Sequence, residues 1–222
     1  MMNNKECLLK NIEEVNETLT DNKLQIYLNL VFKNGILNGK KARKLAGKNE
    51  ISTYPMAKGI TMVEQIGNEI CNNKKILPVG VSTDIILAQK IPLLKIKNIA
   101  CTIKSTKNID LLWKKPNDYI KKYSKLNSEL TPQTTMYSSQ IDNNILGGTA
   151  KYYAILAYSV GADGSLDFME FIFLSDTADY IVHRVPVPVM IEQEKIEPED
   201  KSLKENIGSA KGESLKKIIQ LK

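Results

Sequence analysis

His183 is the only histidine among 222 residues, so every site that needs two imidazoles is excluded, HExxH zinc centres among them. A Ser-His-Asp relay would have to recruit His183, and no GxSxG elbow presents a serine to it. Ile181 and Val185 alternate with His183 on one strand face, which predicts a structural histidine. GILNGKK, residues 35–41, has the glycines and lysines of a phosphate loop. It places three residues between its glycines where four are needed, and Lys41 stands where a magnesium-binding Ser or Thr belongs. It reads instead as a helix stop followed by a basic helix. Cys7, Cys71 and Cys101 form no CxxC pair and leave an odd thiol. They predict small core residues in a reduced, cytoplasmic setting.

Lysine supplies the chemistry that remains. Lys40, Lys41, Arg43, Lys44 and Lys48 fall on or beside one short segment. A second cluster holds Lys114, Lys115, Lys121 and Lys122, together with Lys104, Lys107 and Lys125, and is interleaved with Trp113, Tyr119 and Tyr123. Ammonium groups neutralise phosphates, and aromatic rings stack on unpaired bases. Tyr119 and Tyr123 lie on an apolar helical stripe, which predicts core packing for both, whereas Trp113 precedes that helix and is freer.

The net charge of +6 is unevenly distributed. Residues 1–38 carry four Lys against five acids, and residues 39–125 carry eighteen Lys or Arg against six. Residues 126–191 reverse the balance with two against seven, and the tail from Glu192 carries seven of each sign. Biased coding would raise lysine everywhere and does not explain why it nearly vanishes between Leu126 and Met190. The segregation points to a nucleic acid or an acidic protein as partner.

These groups are positioned by elements legible in the periodicity. Cys7, Leu8, Ile12, Val15 and Leu19 predict a helix over 4–19. Asp21 caps a second, whose stripe is Leu24, Tyr27, Leu28, Val31 and Phe32 and whose stop is Gly35. A short basic helix follows at 39–47 and another at 58–72. ILPVGVS (76–82), DIILAQKI (84–91) and KIKNIACTIK (95–104) predict an antiparallel meander. A helix from Pro116-Asn117 to Leu130 follows, then a long polar loop (131–149). Residues 152–160 and 165–174 form the clearest hairpin, acidic at Asp163, Asp167, Glu170 and Asp176. Pro186 and Pro188 confine 180–191 to an edge strand, open in principle to a partner's strand. The basic helix, loop, second helix and meander also fit a helix-turn-helix with a wing. Its second helix would expose Thr61, Glu64, Gln65, Asn68 and Glu69, with the glutamates facing phosphate unfavourably.

The order helix, three β-runs, helix, strand resembles the core of PD-(D/E)xK nucleases. That resemblance implies two carboxylates and a lysine around Mg²⁺. Glu64 or Glu69 would come from the helix, Asp84 from the second β-run and Lys90 from the same face. The ExK signature is absent: Gln89 precedes Lys90, and no acid lies from Ile85 to Thr106. IACTIKSTKNIDLLWKKPNDYIKKYSKLNSEL (99–130) and YYAILAYSVGADGSLDFMEFIFL (152–174) resemble, over about half the chain, a group of proteins from low-G+C bacteria and their phages. The shared features are a strand meander, a helix ending in a Tyr…Leu-Asn pattern, and a late hairpin. The resemblance implies an accessory, regulatory or defence-related setting and no particular activity.

The expected fold is α+β: a single domain over 1–191, mainly helical over 1–73 and sheet plus one helix over 76–191. A flexible charged tail follows at 192–222. No apolar run approaches the roughly 20 residues that span a bilayer, and Met1 to Lys10 lack the apolar stretch of a secretory signal. The expected role is a non-enzymatic nucleic-acid-associated or regulatory protein without cofactor, catalytic residues or metal ligands. A protein-binding inhibitor or interaction module and a divergent Mg²⁺-dependent nuclease are the alternatives.

Overall fold

A computed structural model describes residues 4–46, 55–72, 76–86, 91–132, 150–161 and 164–190. The predicted tail and most of the predicted polar loop lie outside these residues. The chain builds an α+β fold in which the first half is helical and a six-stranded sheet follows.

Three helices come first: α1 (Asn4–Leu19), α2 (Asn22–Ala46) and α3 (Pro55–Asn72). Asp21 caps α2 as its type predicts, its Oδ1 accepting from the amide of Leu24 at 2.9 Å. The expected stop at Gly35 and separate basic helix over 39–47 are not found, because α2 runs through both. Gly35 lies where α3 crosses, and a Cβ there would stand 2.6 Å from the Ile66 Cα. The glycine lets two backbones approach instead of ending the helix. α3 opens at Pro55, a residue suited to a first turn whose amides have no helical partner.

The strands are β1 (Val81–Ile86), β2 (Ile91–Ile96), β3 (Ile99–Ser105), β4 (Tyr152–Val160), β5 (Leu166–Leu174) and β6 (Ile181–Pro186). They pair in chain order, all antiparallel except β3 with β4. The first two strands are out of phase with the sequence expectation. Residues 76–80 are irregular, and Pro92 sits inside β2, packed on Gly67 of α3. A parallel pair requires a crossover. It leaves the end of β3 through α4 (Leu111–Lys114), α5 (Asp118–Ser124) and a 3₁₀ segment, Lys125–Glu129. This series replaces the single helix expected from Pro116 to Leu130.

The sheet carries helices on both faces. α1, α2 and α3 cover Leu94, Cys101, Leu156, Tyr158, Phe171 and Phe173. On the other face Leu112, Ile120, Tyr123 and Leu126 cover Tyr153, Ile155 and Ile172. β4, buried on both faces over Tyr152–Ser159, is therefore apolar throughout instead of alternating. Cys101 is buried as expected; Cys7 is exposed and Cys71 half-buried. His183 is structural: its Nε2 lies 2.8 Å from Asn16 Oδ1 of α1, and its ring packs on Phe173. At the end of the sheet where β4 begins, Lys151 ties Glu14 of α1 to Glu129 at 3.3 and 3.1 Å. No described helix is long and apolar enough to cross a membrane.

Candidate polyanion-binding rim

β3 and β4 run parallel and finish together. Ser105 aligns with Tyr158, and the Thr106 amide donates to the Tyr158 carbonyl at 2.9 Å. Their common carboxyl end forms a rim from which the crossover departs.

Two sequence-distant lysine groups reach this rim. The tight turn after β4, closed by Gly161 and Ser165, holds Gly164 at φ +82°. A side chain at Gly164 would run into Lys40, so the last turns of α2 arrive beside the turn. Lys41 follows, exposed. Lys104 and the exposed Lys107 stand at the end of β3, and Lys114 and Lys115, also exposed, on the crossover that starts there. Lys114 Nζ lies 5.5 Å from the centre of the half-buried Trp113 ring.

Lys40 and Lys41 of the first cluster and Lys104, Lys107, Lys114 and Lys115 of the second thus share an end of the sheet, not a face. α2 packs on one side and α4–α5 on the other. Lys121 and Lys122 are exposed on α5, which leads away from the rim toward the start of β4. Arg43 and Lys44 occupy the last turn of α2, their side chains outside the described residues, as Lys48 is altogether. The separate short basic helix of the winged helix-turn-helix reading is not found. The basic residues end a long helix, and α3 lies along α2 and the first three strands, where Glu69 accepts from Asn38 at 2.8 Å.

Lys104 is the most informative of these cations. It shares a strand face with Thr102, whose hydroxyl meets the Tyr153 hydroxyl at 2.6 Å. Tyr119 closes over the same group. Burial raises its phenol, against hydrogen bonding from Asn117 and Thr102. Burial likewise holds the Lys104 ammonium below its ordinary range, and no described carboxylate pairs with it. A half-buried cation without a counter-charge is costly, and an anion arriving from solvent would offset that cost. This cluster of hydroxyls was not foreseen. Its signal was the polar alternation Thr102, Lys104 in a strand otherwise apolar up to that point.

The nuclease alternative fares differently. Asp84 lies on β1, and Lys95 Nζ bridges to its Oδ2 at 3.2 Å; Lys90 lies outside the described residues. Among the described residues no three His, Cys, Asp or Glu side chains converge as metal ligands. The acidic hairpin is partly self-neutralised, since Arg184 pairs with Glu170 and Ser159 donates to Asp167. Asp163 lies outside the described residues.

Compared with protein-family models, curated proteins and solved structures, the chain shows no significant match to any of them.

Proposed function

We propose that the protein is a non-enzymatic, nucleic-acid-associated accessory or regulatory protein whose rim holds a phosphate backbone. The observation that carries this reading is the convergence of Lys40 and Lys41 with Lys104, Lys107, Lys114 and Lys115 at one end of the sheet. Cations from residues more than sixty positions apart can then engage successive phosphates.

The test is retention on labelled single- and double-stranded DNA and RNA across a salt series. Affinity should fall log-linearly with salt, and each phosphate contact removed should reduce the slope by about one. The double substitution Lys40→Ala, Lys41→Ala and the double substitution Lys114→Ala, Lys115→Ala should each flatten the slope. No retention on any of these nucleic acids at about 50 mM salt would overturn the reading.

A further inference from the structure

The rim cations differ in depth. Lys41, Lys107, Lys114 and Lys115 are exposed, whereas Lys104 is half-buried. Its row on β3 is that of Thr102, whose hydroxyl meets Tyr153 on the side of the sheet that the crossover covers. On that side the register sets Lys104 beside Ala157, and Ala157 beside Glu170. Glu170 is engaged by Arg184 instead, and no described carboxylate forms an ion pair with Lys104. Burial alone lowers the pKa of this ammonium, with no neighbouring charge acting on it. The fold thus holds a recessed positive charge beside shallow ones.

We infer that Lys104 binds the terminal phosphate of a nucleic-acid strand whose internal phosphates lie on the exposed rim lysines. This assignment rests on the rim being a phosphate-binding edge, and it names which phosphate goes where. An internal phosphodiester carries a single charge and has a nucleoside attached on either side. It can meet an ammonium group that projects into solvent, but its flanking sugars hold it away from one sunk between side chains. A phosphomonoester at a strand end carries a charge of about −1.5 to −2 on three oxygens and is attached on one side only. It can enter further, and its greater charge offsets more of the cost of keeping Lys104 desolvated. A peptide carboxylate offers less charge and fewer acceptors, which favours the phosphomonoester over an acidic protein at this position.

The test uses the full chain and an oligothymidine of about a dozen nucleotides, labelled at an internal base. It is prepared with a 5′-phosphate, a 3′-phosphate or hydroxyls at both ends. Fluorescence anisotropy at about 50 mM salt should show about tenfold tighter binding for at least one end-phosphorylated form than for the hydroxyl form. Lys104→Met and Lys104→Gln should each abolish that difference and leave the hydroxyl form unaffected, with urea midpoints confirming that both variants fold. The double substitution Lys114→Ala, Lys115→Ala should weaken all three forms alike. The unit of salt slope that Lys104 contributes should appear only with the end-phosphorylated strand. The matching thymidine monophosphate lacks internal phosphates and should compete only above about 1 mM. Equal binding of the three forms overturns the inference and leaves the rim reading standing, as does a preference that survives Lys104→Met. A monophosphate or an oligoglutamate that competes as well as the end-phosphorylated strand also overturns it. Retention of none of the three forms is the separate outcome in which the rim reading fails and takes the inference with it.

Discussion

Asn127 uses its side chain to complete the ladder position that Tyr153 would otherwise share with Leu174. The register that aligns Ile155 with Ile172 would set Tyr153 opposite Leu174, yet the pairing stops at Ile155. The Asn127 carboxamide fills the gap. Its Oδ1 accepts from the Tyr153 amide at 2.8 Å, and its Nδ2 donates to the carbonyls of Tyr153 and Leu174 at 2.9 and 2.8 Å. The end of the crossover that carries Trp113, Lys114 and Lys115 is thereby fastened to the start of β4.

Asn127→Asp should therefore be far worse than its size suggests. The carboxylate can accept from the Tyr153 amide, but it cannot donate to two carbonyls, and it would bring a charge into a fully buried site. The expected loss is about 3–5 kcal/mol, read as a lower midpoint in urea unfolding. Asn127→Ala should cost less than the aspartate. An aspartate variant within about 1 kcal/mol of the parent would show that the carboxamide is not the fastener.

The same residue marks what periodicity can and cannot reveal. Leu126 and Leu130 were legible as a stripe because burial repeats with the helix. Asn127, one position on, gave no sign that it substitutes for a strand, because its partners lie 26 and 47 residues away. The late hairpin was legible for the opposite reason: its pairing is local and its turn is short. Gly35 misled because glycine serves both helix ends and close crossings, and only the position of Ile66 decides between them. The strands over 81–105 were misphased because a nearly continuous β-rich run has few breaks, and Pro92, which lies between the second and third predicted runs, packs within β2. The rim lysines were visible as two clusters. Their meeting depends on the length of α2 and on the parallel pairing of β3 with β4, neither of which is a local property.

His183 makes stability depend on pH in a definite direction. Burial lowers its pKa from the usual value, so just below about pH 6.5 the unfolded chain binds more protons than the folded one. Stability contributed by the neutral imidazole is complete above that value and is lost as pH falls through the unfolded pKa. His183→Gln removes the titration and can keep a hydrogen bond to Asn16. Urea midpoints at about pH 7.5 and pH 5.5 should fall more for the parent than for the variant. Equal falls would place the pH sensitivity elsewhere.

Lys104 couples the stability of the sheet to the proposed binding of phosphate. Its pKa is lowered by burial, so the folded chain holds the charged form at a cost that the unfolded chain escapes. Lys104→Met keeps the stem and removes the charge, and should raise stability near neutral pH, by less than about 1 kcal/mol because solvent screens a side chain that stays partly exposed. The sign can be checked by titration. Between the lowered folded pKa and the ordinary value of about 10.4, the unfolded chain binds more protons, so stability of the parent rises with pH and the gap to the variant narrows. The same substitution should reduce the salt slope of nucleic-acid retention by about one. A gain in stability together with a loss of slope marks a cation kept for its ligand. A loss of stability would show instead that the ammonium is satisfied within the fold, and the rim would then rest on Lys40, Lys41, Lys107, Lys114 and Lys115 alone.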